Sequence, residues 1–346
     1  MEGLHWRHRE VPLSSIHRLT LSGLLVLCVA PGPVLAEAPP PPIVNGAPES
    51  GFPTVISLGA DILDDRVSLC TGNIITTRII LTAAHCTDFI PTSMLQAGGR
   101  AYVGPDIWSA EYELRLEDRM VHPDYVELDN SLDELGEFDI SVVVLAEDSP
   151  IRPMWVRLDD FDDDDLGTDM TSVGFGLDED DRSGTKRSAV LTLDTLDEQF
   201  LISSSFSNPD GATICSGDSG GPQVALVDGE WEQWAVHSWG DAACRSQSGS
   251  QRVDIARDWL FDQIEAVHGT RDLCKANGWA GDGVCDERCG EYGDVDPDCV
   301  DPVALLSSAE AADMDKSGCA TVSASGAAGW LVLLAPLGLV WRQRRT

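Results

Sequence analysis

The chain has 346 residues, enough for one large or two ordinary domains, and a 43% hydrophobic content that supports a core. Its 58 acidic and 23 basic residues give a formal net charge of −35, which argues against nucleic-acid binding because that relies on a basic footprint. Such a charge favours solubility and says nothing about fold.

Residues 1–36 carry Arg7, Arg9 and Arg18, then the apolar run "LTLSGLLVLCVA", then small residues up to Ala36. This is the pattern of a secretory signal peptide. Residues 37–42, "EAPPPP", are read as a short propeptide. From Ile43 to His268 the chain is made of short runs such as "TVISLGA", "IITTRIILTAA", "ISVVVLA", "VLTLDTL" and "QWAVHSW". They are rich in Val, Ile, Thr and Trp, are separated by turn residues, and predict strands. "VDIARDWLFDQIEAVHG" alone predicts a helix, with Ile255, Trp259, Ile264 and Val267 on one face and Gly269 as its stop. An all-β body closed by one C-terminal helix points to barrels or a sandwich. The acidic "DDFDDDD" at 159–165 is read as a solvated loop.

Residues 269–300 form a separate acidic module with four cysteines, too small to build a sufficient core without staples. Residues 301–317 read as a linker. Residues 318–346 end in the apolar stretch Gly326–Trp341 and three arginines, Arg342, Arg344 and Arg345. That stretch is marginal against the ~20 residues that a membrane span needs. With Cys28 in the leader and Cys319 beside the tail set aside, Cys70, Cys86, Cys215, Cys244, Cys274, Cys285, Cys289 and Cys299 remain. An even count in an exported chain implies disulfides, and the lack of any CxxC pair speaks against a zinc ribbon.

The chemistry concentrates in "ATICSGDSGGPQV". Glycines serve where the backbone needs positive φ or close approach, so Ser219 is a hydroxyl presented in a shaped turn. A serine is a poor nucleophile until a base, itself oriented by a third group, removes its proton. His5, His8 and His17 lie in the leader, and His122 and His268 are in polar surroundings. His85 ends the strand-like "RIILTAAHC", where Cys86 can pin it. Asp139 heads the apolar "ISVVVLA" and would be carried inside, where a charge needs a partner.

"IVNG" at 43–46, "LTAAHC" at 81–86, "DISVVVL" at 139–145, "GDSGGP" at 217–222 and "SWG" at 238–240 stand in the order found in the chymotrypsin/trypsin family of serine proteases, which residues 43–268 resemble. The resemblance implies two antiparallel six-stranded β-barrels with the site between them. It also implies His85 as general base, Asp139 as orienter and Ser219 as nucleophile, with the N–H groups of Gly217 and Ser219 as the oxyanion hole. Pairing of Cys70 with Cys86 and of Cys215 with Cys244 follows from the same resemblance, as does an ion pair between an Ile43 amine and Asp218 that orders the site. Family zymogens are commonly cut after Arg or Lys, whereas Ile43 follows proline, so an activating protease of another kind is expected. By the family's pattern Thr213 lies at the base of the primary pocket, with Ser238, Trp239, Gly240 and the segment near Ser248–Gly249 as walls. A threonine there implies an uncharged residue on the acyl side of the substrate.

No cofactor is required for this chemistry. In "CKANGWAGDGVCDERCGEYGDVDPDC" the pairing of the four cysteines stays open. The segment resembles cysteine-rich pieces of myxobacterial surface proteins and, more loosely, calcium-binding Lin12/Notch-type repeats, and Asp282, Asp294, Asp296 and Asp298 could supply hard oxygen ligands to a structural calcium. The C-terminal tail is similar to myxobacterial sorting tails, which implies processing near Cys319 and retention at the cell surface. The expectation is an exported, surface-anchored serine endopeptidase acting on protein or peptide substrates. Its rivals are a silent protease-scaffold binding protein and a calcium-dependent surface adhesin.

Overall fold

The structure is a computed structural model that describes residues 43–62, 65–126, 137–178 and 180–299. The leader, the propeptide, the linker and the C-terminal tail, with Cys319, lie outside the described residues. Among the described residues no helix is long and apolar enough to cross a membrane.

Among the described residues fifteen strands carry the body. β1 (Ala47–Pro48) is followed by β2 (Val55–Ile62), β3 (Asp65–Ile74), β4 (Ile79–Thr82), β5 (Gly99–Val103), β6 (Tyr112–Val121) and β7 (Ser141–Leu145). β2 to β7 close into an antiparallel barrel in the order β2-β3-β4-β7-β6-β5. Every residue of β4 and β7 is buried, which is why "IILT" and "SVVVL" are continuous apolar runs rather than alternating ones. The segment expected as one strand, "IITTRIILTAA", is two, because Thr76 folds the chain back and its hydroxyl accepts the Ile79 N–H at 2.9 Å.

The second part is one sheet. β8 (Trp155–Val156), β9 (Asp169–Gly174), β10 (Arg187–Thr192), β11 (Thr195–Leu196), β12 (Phe200–Ser204), β13 (Pro222–Val227), β14 (Glu230–Gly240) and β15 (Gln247–Arg252) join β1 in it. The order is β1-β10-β9-β13-β14-β15-β12-β11, with β8 paired parallel to β14. Six strands are long, and the two-residue β1, β8 and β11 bring the total to nine. The all-β body closed by a helix is therefore present, with one closed six-stranded barrel and a second, nine-stranded sheet, consistent with a trypsin-like fold. A short helix α1 (Thr92–Gly98) lies between β4 and β5, and α2 (Arg257–His268) closes the body. Gly269 ends α2 in the left-handed region at φ 72°, and its N–H returns to the Glu265 carbonyl at 2.7 Å.

Two readings are corrected here. Residues 270–299, which include α3 (Leu273–Asn277) and α4 (Cys289–Tyr292), do not form a separate module. Leu273, Cys274, Trp279, Cys289 and Tyr292 share a buried cluster with Leu260 and Ile264 of α2 and with the barrel interior. Trp155 packs edge-on against Trp279 at 4.5 Å and stacks with Tyr292 at 5.2 Å. Arg288 and the Tyr292 hydroxyl both donate to Glu232, at 2.6 and 3.0 Å. The piece is small because it borrows its core from the body. The disulfides that sequence left open are Cys274–Cys289 and Cys285–Cys299. The second correction concerns His122 alone, since the polar surroundings expected of His268 are present. His122 is buried and stacks on Phe138 at 4.4 Å, and His268 meets the Thr76 hydroxyl at 2.8 Å.

Candidate active site

β4 delivers the chain into a short turn, Ala84–Cys86, and His85 sits in its middle. The Cys70–Cys86 disulfide ties that turn to β3. Asp139 lies just before β7 and is 1% exposed. Its carboxylate accepts from the His85 backbone N–H at 2.9 Å, from the Ser238 hydroxyl at 2.6 Å, and faces His85 Nδ1 at 2.8 Å. An acceptor-only carboxylate at Nδ1 selects the tautomer with the proton on Nδ1, which leaves Nε2 able to accept one. Burial works against the charged imidazole, but the hydrogen bond and the charge of Asp139 outweigh it and raise the His85 pKa.

Ser219 stands in a turn shaped by backbone bonds. Asp218 N–H donates to Cys215 O at 3.0 Å, Gly221 N–H to Asp218 O at 2.8 Å, and Gly220 N–H to His237 O at 2.7 Å. The N–H groups of Gly217 and Ser219 have no acceptor among the described residues, so two donors on one turn stay available. Gly220 has φ +82°, and a Cβ there would collide with the Thr82 hydroxyl and the Thr71 carbonyl. The turn is fastened to the barrel, since Thr71 N–H donates to Ser219 O at 2.8 Å and Thr71 Oγ1 to Gly217 O at 2.8 Å. Cys86 Sγ is 3.6 Å from Ser219 O, which places the residue beside His85 against the serine's own backbone.

Asp218 is buried under this turn, and its oxygens accept from the N–H groups of Gly176 and Cys215 at 2.8 and 2.9 Å. Burial pushes its carboxyl up to about 7. Ile43 is also buried, and Val44 pairs with Thr213, two residues before Cys215. In the uncut chain the Ile43 nitrogen is a peptide nitrogen and brings no charge to Asp218, whose carboxyl is held by these two amides and by the more distant charge of Arg187.

A pocket of about 140 Å³ opens beside Ser219, lined among others by Ile214, Ser216, Ser238, Trp239, Gly240 and Asp241. Thr213, expected at its base, is not part of the lining. It is fully buried, with its hydroxyl donating to Cys244 O at 2.6 Å. Ser248 and Gly249 stand behind the wall, paired with Gly240 and Trp239. The Cys215–Cys244 disulfide joins the two sides of the pocket. Asp241 went unnoticed in the sequence. It accepts the backbone N–H groups of Ala243, Arg245 and Ser246 at 2.7–3.0 Å, which hold its carboxyl well below the usual range despite the opposing effect of burial. Its bond to the N–H of Ala243, two residues on, makes an Asx turn, and an aspartate opening a turn is the one signal available. A larger hollow of about 570 Å³ beside Phe52 and Trp231 contains none of these residues.

Two further polar residues escaped the sequence reading. His237 is fully buried next to Ser238, and burial holds its pKa down to about 3, so it is a neutral hydrogen-bonding group facing the Ser250 hydroxyl at 3.0 Å. Gln251, also fully buried, accepts the Asp139 N–H at 2.9 Å. In the C-terminal piece Asp296 accepts the N–H groups of Gly281, Asp286 and Asp298, and Asp298 that of Gly283. Asp282 accepts that of Val284, and Asp294 pairs with Lys275. Among the described residues the only three potential ligands that converge are Cys70, His85 and Cys86, and those cysteines are bonded to each other.

A family model described as trypsin matches residues 45–260. The chain is similar to CLIP domain-containing serine protease B10 of Anopheles gambiae, 28% identical over 241 residues, which covers 58% of this chain and 62% of the relative. It is similar to vitamin K-dependent protein C of Mus musculus, 26% identical over 233 residues, covering 59% of this chain and 47% of the relative. For vitamin K-dependent protein C of Oryctolagus cuniculus the identity is 24% over 230 residues, covering 59% and 48%. The chain spans less than two thirds of the length of each of these relatives.

Proposed function

The chain belongs to the trypsin family of serine proteases, and from that premise we propose that it is an exported serine endopeptidase working through an acyl-enzyme. The observation that carries the reading is the junction at Asp139, which holds the His85 imidazole and the Ser238 hydroxyl together beside the Ser219 turn.

In this reading Ser219 Oγ attacks the scissile carbonyl while His85 Nε2 takes its proton. Asp139 keeps the ring oriented through Nδ1–H and stabilises the imidazolium without taking the proton itself. The N–H groups of Gly217 and Ser219 receive the oxyanion, each such donor contributing ~3 kcal/mol in the transition state. His85 then hands the proton to the leaving amine, and water repeats the sequence to free the acyl group.

The acyl-side residue is uncharged. Ile214 supplies an apolar lining, and the carboxylate of Asp241 is already held by backbone amides. The six residues before Ile43 are removed by another protease, and the new Ile43 amine pairs with Asp218. The leader and the four disulfides support export, and the tail supports attachment to the cell surface.

The test uses the secreted protein without residues 318–346, its N-terminus sequenced, treated with a fluorophosphonate probe beside Ser219→Ala. Labelling of a chain that starts at Ile43, absent from the variant, supports the whole reading. Labelling of a chain that starts at Glu37 keeps the enzyme and removes the Ile43–Asp218 step. No labelling even of a chain supplied with an Ile43 start makes the protein a binding scaffold.

A further inference from the structure

We propose that Gln251 is a positioning residue for catalysis, which from the second sheet holds the backbone that carries Asp139. The inference rests on the triad reading above. Asp139 is a residue of the barrel side, set between β6 and β7. Gln251 is on β15, where it pairs with Phe200 of β12 and Val236 of β14. The bond from Asp139 N–H to Gln251 Oε1, 2.9 Å long, therefore runs from the barrel side to the sheet.

Gln251 has only one amide orientation that satisfies both of its ends. Its Nε2 donates to the Gln199 carbonyl at 2.9 Å, which leaves Oε1 as the acceptor for Asp139. Gln199 in turn presents its Oε1 to the Phe138 N–H at 3.3 Å. The two glutamines thus grip consecutive amides at the point where the chain delivers the acid.

That grip matters because the backbone there is not at rest. Phe138 has φ +49°, in the left-handed region that a bulky side chain adopts only when its surroundings impose it. On its other side the Phe138 ring lies flat on His122, 4.4 Å away and 6° from parallel. His122 is kept neutral by burial, which Asp124 only partly opposes. The held turn leads directly into a carboxylate that must meet both His85 Nδ1 and Ser238 Oγ. A loosened Asp139 amide would let Phe138 relax and swing the carboxylate from both. Since small displacements of a catalytic group cost much rate, the glutamine acts on chemistry through Asp139.

The experiment compares wild type with Gln251→Leu in the full secreted chain, measuring kcat and KM on a peptide substrate across pH. The expected result is a kcat lowered about tenfold or more with KM little changed. The acid limb of kcat/KM should also move to lower pH by roughly half a unit, because a loosened carboxylate raises the His85 pKa less. A folded Gln251→Leu with wild-type kcat and an unmoved acid limb overturns the proposal, even if it melts earlier. Should that variant not fold, Gln199→Leu carries the test. A lowered kcat with KM unchanged supports the grip, and wild-type kcat in the folded protein removes it. Wild-type protein that no fluorophosphonate labels overturns the triad reading itself, a failure distinct from an active wild type with an unaffected Gln251→Leu.

Discussion

The Ser238 hydroxyl donates to Asp139 Oδ2 at 2.6 Å, on the same oxygen that faces the His85 ring. Ser238 belongs to β14, so the wall of the pocket beside Ser219 and the Asp139 carboxylate share a hydrogen bond. Ser238→Ala removes one donor from a buried carboxylate, a loss of about 1.5–3 kcal/mol for a bond to a charged group. The expected outcome is a kcat/KM lowered by about tenfold or more, measured on a peptide with an uncharged acyl-side residue. Unchanged kinetics would remove Ser238 from the orienting network.

His85 must be neutral to accept a proton, and Asp139 raises its pKa above the ordinary 6.5. Activity is therefore expected to rise with pH through a midpoint above 6.5 in kcat/KM. In Asp139→Asn the raising charge is gone while burial still opposes protonation. The midpoint should then fall below that of wild type, and kcat should drop by about 10⁴-fold with the imidazole in the wrong tautomer.

Asp218 gives the folded chain a pH-dependent stability. Its pKa is pushed up to about 7 in the folded chain from an ordinary 3.8, so between those values the folded state binds more protons than the unfolded one. The sign follows. Stability from this group is full below about pH 4 and is lost as pH rises towards 7, by about 4 kcal/mol at most. A chain that starts at Ile43 offers an ammonium to the same carboxylate and should not show that loss. Urea unfolding of both forms at pH 4 and pH 7 isolates the difference, because apart from residues 37–42, with Glu37 and its terminal amine, the two forms share their titratable groups. Parallel pH dependence in the two forms would sink the ion pair.

Trp279 carries the attachment of the C-terminal piece through Trp155. Trp279→Ala is expected to lower unfolding stability by about 3–5 kcal/mol, the cost of emptying a large aromatic site. Calorimetry of the disulfide-intact protein checks it. A body of unchanged stability would make residues 269–300 a passenger on the protease, as the adhesin reading requires.

The parts of the site that were legible are those where chemistry and sterics are local. "GDSGGP" announces a shaped turn because only glycine tolerates the backbone at Gly220, and "LTAAHC" puts a histidine next to a cysteine that can pin it. Asp139 was visible as an acid at the head of an apolar strand. Adjacency in sequence does not say which way a side chain turns, and only the structure shows that the Thr213 hydroxyl goes to Cys244 O. His122 reads as a residue in polar surroundings because its neighbours in sequence conceal Phe138 and Trp259, which cover it in space.

By itself the sequence determined the strand-rich body, the C-terminal helix with its glycine stop, and the serine, histidine and aspartate of the candidate triad. These depend on side-chain periodicity, backbone freedom and the cost of burying a charge, all of which act within a few residues. Only the tertiary structure decided that Cys274 pairs with Cys289, that Trp155 lies against both Trp279 and Tyr292, and that Gln251 reaches Asp139. Each of those contacts joins elements remote in sequence, and such meetings are settled by strand register and close packing.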